Sequence, residues 1–62
     1  MSGVMVAVFD IRIRDARTQQ MIIADHKRTR QGAALLSAEI IEETAEEMDV
    51  ADIDGQGRYV PR

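Results

Sequence analysis

The sequence contains no cysteine, no tryptophan and one residue each of histidine, phenylalanine, tyrosine and proline. The absence of cysteine excludes disulfide bonds, thiolate metal sites and cysteine nucleophiles. The one histidine, His26, has no second histidine with which to bind a metal and no nucleophile motif beside it. We therefore expect no cofactor, no metal site and no enzymatic activity. The scarcity of aromatic rings predicts an aliphatic core and leaves little surface for stacking on nucleic-acid bases.

The chain also lacks a long apolar run, because the stretch 3–9 ends at Asp10 and a membrane span needs about 20 residues. It has neither the basic segment nor the small-residue cleavage site of a signal peptide. With 62 residues, of which 45% are apolar and 31% charged, we expect one folded domain over 1–62 in the cytoplasm. A core of this size is marginal, so a partner protein or a second copy, as in a homodimer, is the expected support.

Alternating apolar residues predict a strand over about 4–14, with one wholly apolar face that includes Phe9, Ile11 and Ile13. On its other face Val4, Val6 and Val8 are also apolar and need a cover of their own. A polar turn follows, and the apolar run within 21–25 predicts a second strand that returns antiparallel to the first.

The spacing of apolar residues changes to the helical period over about 31–48, with Ala33, Ile40 and Met48 on one side. Leu35 and Leu36 fall outside this apolar stripe. After the helix we expect an acidic loop over 49–57 and a short strand over 58–60. The predicted fold class is α+β, a small antiparallel sheet packed on one amphipathic helix. Its predicted core consists of Phe9, Ile11, Ile13, Ile23, Ile40, Ile41, Ala45 and Met48.

An alternative interpretation makes Asp15 a helix N-cap and places a helix over 16–28, which gives the order strand–helix–helix of ribbon-helix-helix DNA-binding proteins. Such a protein would be a dimeric regulator that contacts DNA through Arg12 and Arg14. Against it, the run at 21–23 is apolar on three sides of a helix, and the net charge is −3. The basic residues of the first half are Arg12, Arg14, Arg17, Lys27, Arg28 and Arg30.

Charge is divided sharply along the chain, because residues 32–57 contain no lysine or arginine. On the predicted helix the glutamates fall on one face, where like-charged neighbours cost roughly 0.2–0.5 kcal/mol per pair. One interpretation is a solvated face partly neutralised by arginines of the sheet. The other is an acidic surface that binds a basic partner. The candidate contact residues of that surface are Glu39, Glu42, Glu43, Glu46, Glu47, Asp49, Asp52 and Asp54.

A small cysteine-free domain with a helix face of glutamates resembles small phage-encoded inhibitors of the anti-CRISPR type, a resemblance that covers the acidic segment from Glu39 to Asp54. The resemblance covers size and charge and includes no motif. It implies a non-catalytic protein of phage origin acting in a bacterial cell, which blocks a basic nucleic-acid-binding site on another protein by mimicking DNA. Its expected partner is a basic nucleic-acid-handling protein or complex.

Overall fold

The computed structural model describes residues 3–60 and contains five short strands, one helix and two 3₁₀ turns. The elements are β1 (Met5–Val8), β2 (Ile11–Arg14), β3 (Met21–Ile23), α1 (Arg30–Leu35), β4 (Glu39–Ile40) and β5 (Glu46–Asp49), with 3₁₀ turns at Glu42–Thr44 and Val50–Asp52. The strands form two antiparallel sheets, one with the order β1-β5 and the other with the order β3-β2-β4. The predicted α+β class is confirmed.

The strand predicted over 4–14 is divided at Phe9 and Asp10. Phe9 exchanges both backbone hydrogen bonds with Arg28, at 2.8 and 3.0 Å. The Asp10 N–H donates to Thr44 Oγ1 at 2.8 Å, and the Asp10 carbonyl accepts from the N–H of Ile41 at 3.0 Å. Because these partners lie on different segments, the first half of the run joins one sheet and the second half joins the other.

The predicted hairpin is present, with Arg12 opposite Ile23 and Arg14 opposite Met21. Its turn is closed by hydrogen bonds between the Asp15 N–H and the Gln20 carbonyl and between the Gln19 N–H and the Asp15 carbonyl. Gln19 adopts a left-handed φ of 63°. The second strand ends at Ile23 rather than at residue 25. The strand–helix–helix alternative is wrong, because residues 16–28 hold this turn and β3.

The helix predicted over 31–48 is wrong beyond its first turns, because α1 ends at Leu35. Ser37 takes a left-handed φ of 53°, its N–H bonds the Ala34 carbonyl, and the Ala38 N–H bonds the Ala33 carbonyl. These two bonds form a Schellman motif, which terminates a helix. At the other end, Thr29 caps α1 by accepting from the Gly32 N–H at 3.0 Å.

The segment after α1 is extended where the helix was expected. Residues of β4 pair with β2, and those of β5 pair with β1. The predicted acidic loop is shorter than 49–57, because Asp49 belongs to β5 and a 3₁₀ turn follows it. In place of a strand over 58–60, Arg58 and Tyr59 form isolated bridges to Arg28 and Ile53. No helix within residues 3–60 combines the length and the apolar character that a membrane crossing requires.

The core is thin. Among the described residues its buried apolar side chains are Val8, Phe9, Ile11 and Ala33. Phe9 and Ile11 were predicted, whereas Val8 and Ala33 were not. The remaining predicted core residues Ile13, Ile40, Ile41 and Met48 are half-buried, and Ile23 and Ala45 are exposed. Those two predictions are wrong because Ile23 lies in an edge strand and Ala45 follows a surface turn.

Candidate binding groove

The predicted acidic surface is divided among several elements. Glu39 lies in β4, Glu42 and Glu43 lie in a 3₁₀ turn, and Glu46, Glu47 and Asp49 lie in β5. Because successive side chains of a strand point to opposite faces, the carboxylates of Glu46 and Glu47 diverge. Asp52 and Asp54 follow in the second 3₁₀ turn and the loop after it. The five glutamates therefore do not form the single helical face that was expected of them.

Several of these carboxylates pair with basic residues of the first half of the chain. Glu39 contacts Arg12 at 3.2 Å, Glu42 contacts Arg30 at 2.8 Å, and Glu46 contacts Lys27 at 3.2 Å. The Lys27 ammonium also contacts Asp10 at 3.3 Å and donates to the Thr44 carbonyl at 3.0 Å. The arrangement matches the first interpretation of the charge pattern, in which the basic half neutralises part of the acidic half. The neutralising residues differ, since Lys27 and Arg30 act alongside Arg12.

Two further carboxylates organise local turns. Asp49 accepts from the Ala51 N–H at 2.8 Å. Asp54 accepts from the N–H groups of Gln56 and Arg58 at 2.8 and 3.0 Å and pairs with the Arg58 side chain at 3.1 Å. The backbone N–H groups of Arg58 and Gln56 lower the pKa of Asp54 because they stabilise its ionised form. Glu43 and Glu47 are exposed, and neither makes an ion pair with any residue in 3–60.

The groove that the structure reveals begins at the free edge of β1. The Val50 N–H bonds the Val4 carbonyl at 2.9 Å, so alternation makes Val6 and Val8 the residues that bond β5. The backbone groups of Met5 and Ala7 therefore point away from β5. The backbone groups of Phe9, two residues after Ala7, also point away from β5, and they bond Arg28. Among the described residues, no strand pairs with the outward backbone groups of Met5 and Ala7.

Ala7 and Phe9 of this edge line an open groove of about 540 Å³. After Arg28 the chain turns into α1, so the groove occupies the position that a continuing strand would have filled. Its apolar lining includes Val6, Ala7, Leu35, Val50 and Ile53. Leu35 is 67% exposed and Val50 is 41% exposed. Both are large apolar side chains that the chain itself leaves uncovered.

One wall of the groove is fixed by contact between two glycines. A Cβ at Gly32 would lie 2.7 Å from the Gln56 carbonyl oxygen and 2.9 Å from that of Gly57. Gly57 has a left-handed φ of 79°, and its carbonyl accepts from the Thr29 N–H at 2.9 Å. The turn over 54–57 is thus held against α1, which gives the groove a preformed side.

At one end of the groove Arg30 lies over the Phe9 ring, with 4.8 Å between the guanidinium carbon and the ring centroid. Arg30 also donates two hydrogen bonds of 2.8 Å to the Glu42 carboxylate. These hydrogen bonds lower the pKa of Glu42 and raise the pKa of Arg30, because each stabilises the charged form. The Arg30 guanidinium therefore adds a charged group to a groove whose lining is mixed, with Thr29, Gln31 and Gln56 beside the apolar residues.

Three of the polar side chains along the groove are engaged in structural hydrogen bonds, whereas Gln31 and Gln56 add polar side chains to its lining. The Thr29 hydroxyl caps α1, the Asp54 carboxylate closes a turn, and Arg30 is paired with Glu42. Within residues 3–60 no three histidine, aspartate or glutamate side chains are grouped to hold a metal ion. The rest of the lining is apolar or glycine and can contact aliphatic side chains.

Searches of protein-family models, curated proteins and solved structures find no match to this chain. The resemblance to anti-CRISPR inhibitors therefore stays a prediction. Of the groove residues, sequence reasoning named Asp54 as a contact residue and missed the apolar lining, although two signals pointed towards that lining. Val4 to Val8 is apolar on both faces of a strand, and Leu35 lies outside the helical apolar stripe.

Proposed function

We propose that this chain is a non-catalytic binding protein that takes up an extended segment of a partner protein in the groove beside β1. The observation that carries the proposal is the coincidence of two features at one place. The outward backbone groups of Met5 and Ala7 can bond an added strand, and the groove that Ala7 lines exposes Leu35 and Val50. Peptide recognition by strand addition combines main-chain hydrogen bonds with pockets for alternate side chains.

The bound segment would be short and amphipathic. About four residues span the length of β1, which itself has four, since an extended chain rises roughly 3.3 Å per residue. Alternate side chains would enter the apolar groove, so we expect aliphatic residues at every second position. Residues of α1 and of the 54–57 turn line the groove and would flank the bound segment.

The test begins with selection of random twelve-residue peptides displayed on phage against the immobilised chain. The strongest binder is then titrated against two variants of neighbouring leucines. Leu35→Glu places a charge in the groove, whereas Leu36→Glu places it outside, at a residue that is also exposed. We expect Leu35→Glu to weaken binding at least tenfold and Leu36→Glu to leave it within threefold.

A synthetic chain with an N-methyl group on Ala7 tests the backbone contribution directly. This change removes one outward donor and keeps every side chain, so we expect a loss of affinity without a loss of fold. The absence of any enriched peptide would contradict the proposal. So would a selected peptide that binds the Leu35→Glu variant and the N-methyl chain as well as it binds the parent.

A second proposal keeps the basic nucleic-acid-handling partner. Its support is that Glu43 and Glu47 are exposed carboxylates without an ion pair in the described part of the chain, and that the net charge is −3. The test is a pull-down from nuclease-treated bacterial lysate with the parent and with a Glu43→Gln, Glu47→Gln variant. Recovery of a basic protein by the parent alone, with release by salt, would support it. Equal recovery by both would contradict it.

A further inference from the structure

The second free edge of the molecule is β3, which ends the sheet with the order β3-β2-β4. Its residues Met21, Ile22 and Ile23 are all apolar, and their side chains are 49%, 42% and 50% exposed. Hydrogen bonds join Asp15 to Gln20 and Ile11 to Ala24 across the hairpin. Alternation therefore directs the backbone groups of Ile22 towards β2 and those of Met21 and Ile23 outwards.

Apart from its short length of three residues, this edge lacks the features that usually keep strand edges apart. Natural edge strands carry a lysine, a proline, a bulge or an inward-pointing charge, or they are covered by another element. Residues 19–24 contain no charged residue, no proline and no glycine. Unlike the edge of β1, which lies within a walled groove, β3 is an outermost strand whose three side chains are exposed on both faces. An open edge of this kind can accept the flat edge of another sheet.

We propose that two copies of this chain associate through their β3 strands, antiparallel and with the two-fold axis at Ile22. In that register Met21 of each copy lies opposite Ile23 of the other. The outward N–H and carbonyl groups of these two residues then bond one another across the axis. Ile22 faces Ile22 of the second copy as a non-hydrogen-bonded pair, in which the side chains approach most closely.

The same register joins compatible side chains on both faces. Ile22 shares a face with Ile13, so two copies would bring together four isoleucines that are each incompletely buried in one copy. On the other face, Asp25 of the second copy comes beside Gln19. There Arg14 already donates to the Gln19 carbonyl at 3.1 Å. Asp25 makes no ion pair with another residue in 3–60, so the pairing places opposite charges near each other at both ends.

The absence of native cysteine allows a direct test of the register. Single variants Met21→Cys, Ile22→Cys and Ile23→Cys are oxidised under mild conditions, and disulfide dimers are followed over time on non-reducing gels. We expect Ile22→Cys to crosslink at least tenfold faster than the other two, because residue 22 alone faces its own copy. A non-hydrogen-bonded pair separates Cα atoms by about 4.5 Å, within the range that a disulfide spans.

A charge exchange at the same residue tests the association without a covalent bond. Sedimentation equilibrium is measured from about 10 µM to 1 mM, a range suited to a small interface. We expect a concentration-dependent dimer for the parent and monomers for Ile22→Lys and for Ile22→Glu. A one-to-one mixture of the two variants should recover the dimer, because lysine and glutamate then face each other across the axis.

Three outcomes would overturn the proposal. They are a parent that stays monomeric up to 1 mM, equal crosslinking rates at the three positions, and a lysine–glutamate mixture that does not associate. Leu35→Glu is the control, since it alters the β1 groove and leaves β3 unchanged. A dimer that is lost with Leu35→Glu and kept with Ile22→Lys would also overturn the proposal and would place self-association in the groove.

Discussion

Replacement of Gly32 by alanine tests the contact on which the groove wall depends. The added Cβ would lie 2.7 and 2.9 Å from two carbonyl oxygens, whereas carbon and oxygen in such contacts normally stay about 3.3–3.6 Å apart. The turn would have to move by roughly half an ångström. It cannot do so freely, because Gly57 is bonded to Thr29 and Asp54 holds the turn from within.

Two opposing effects decide whether Gly32→Ala raises or lowers the free energy of unfolding. Alanine is favoured over glycine inside a helix by about 0.5–1 kcal/mol, whereas overpacking against a fixed neighbour costs about 1–3 kcal/mol. Because the obstructing atoms belong to the backbone, we expect the second effect to dominate. The free energy of unfolding should fall by about 1–2 kcal/mol. In a domain of this size that corresponds to a decrease in Tm of roughly 4–16 °C.

Thermal unfolding followed by circular dichroism measures this decrease. Gly55→Ala is the matched control, because a Cβ at Gly55 would meet nothing within 4 Å and its φ is not left-handed. The control should unfold within about 0.5 kcal/mol of the parent. If Gly32→Ala proves as stable as the parent or more stable, then α1 and the 54–57 turn are not in contact as described, and the preformed wall of the groove is refuted.

Three other substitutions test the contacts that join the segments. Thr44→Val should destabilise by about 1–2 kcal/mol in urea titration because it leaves the Asp10 N–H without its acceptor, whereas Thr44→Ser should cost less than half as much. Lys27→Met should lower the free energy of unfolding by about 1 kcal/mol, because Asp10 and Glu46 lose their partner but remain partly hydrated. High salt should reduce the difference in stability between this variant and the parent. The lowered pKa of Asp54 stabilises the fold above the ordinary aspartate pKa of about 3.9, and this contribution is lost as the pH falls through the folded pKa. Asp54→Asn should therefore unfold more easily than the parent at pH 7 and equally easily near pH 2.

The first third of the chain could be predicted from its sequence because its structure is determined by local alternation. Residues before Asp15 alternate with period two, a short apolar run follows at 21–24, and the polar turn between them is sufficient for a hairpin. The break at Phe9 and Asp10 could not be predicted in this way. It depends on Thr44 and Arg28, which are distant in sequence and leave no periodic signal.

The helix prediction failed because its stop has no sequence marker. Helices usually end with glycine in the left-handed position, and here Ser37 takes that conformation. The apolar residues Ile40 and Met48, which fit a helical stripe, instead pair with β2 and β1. Extended structure also separates the glutamates that would have repelled one another along a helix. Tertiary pairing therefore outweighed local helical preference.

The distribution of charge after folding bears on how the two binding proposals respond to salt. Glu39, Glu42 and Glu46 are paired within the chain, so they contribute less to any long-range attraction than their number suggests. A segment held by backbone hydrogen bonds and by Leu35 and Val50 exchanges no net charge with the groove. Its affinity should therefore change little between low and high salt. A basic partner attracted by Glu43 and Glu47 should dissociate as salt rises, because exposed charges are screened within about 10 Å at 0.1 M. Salt dependence thus distinguishes the two surfaces even before a partner is identified.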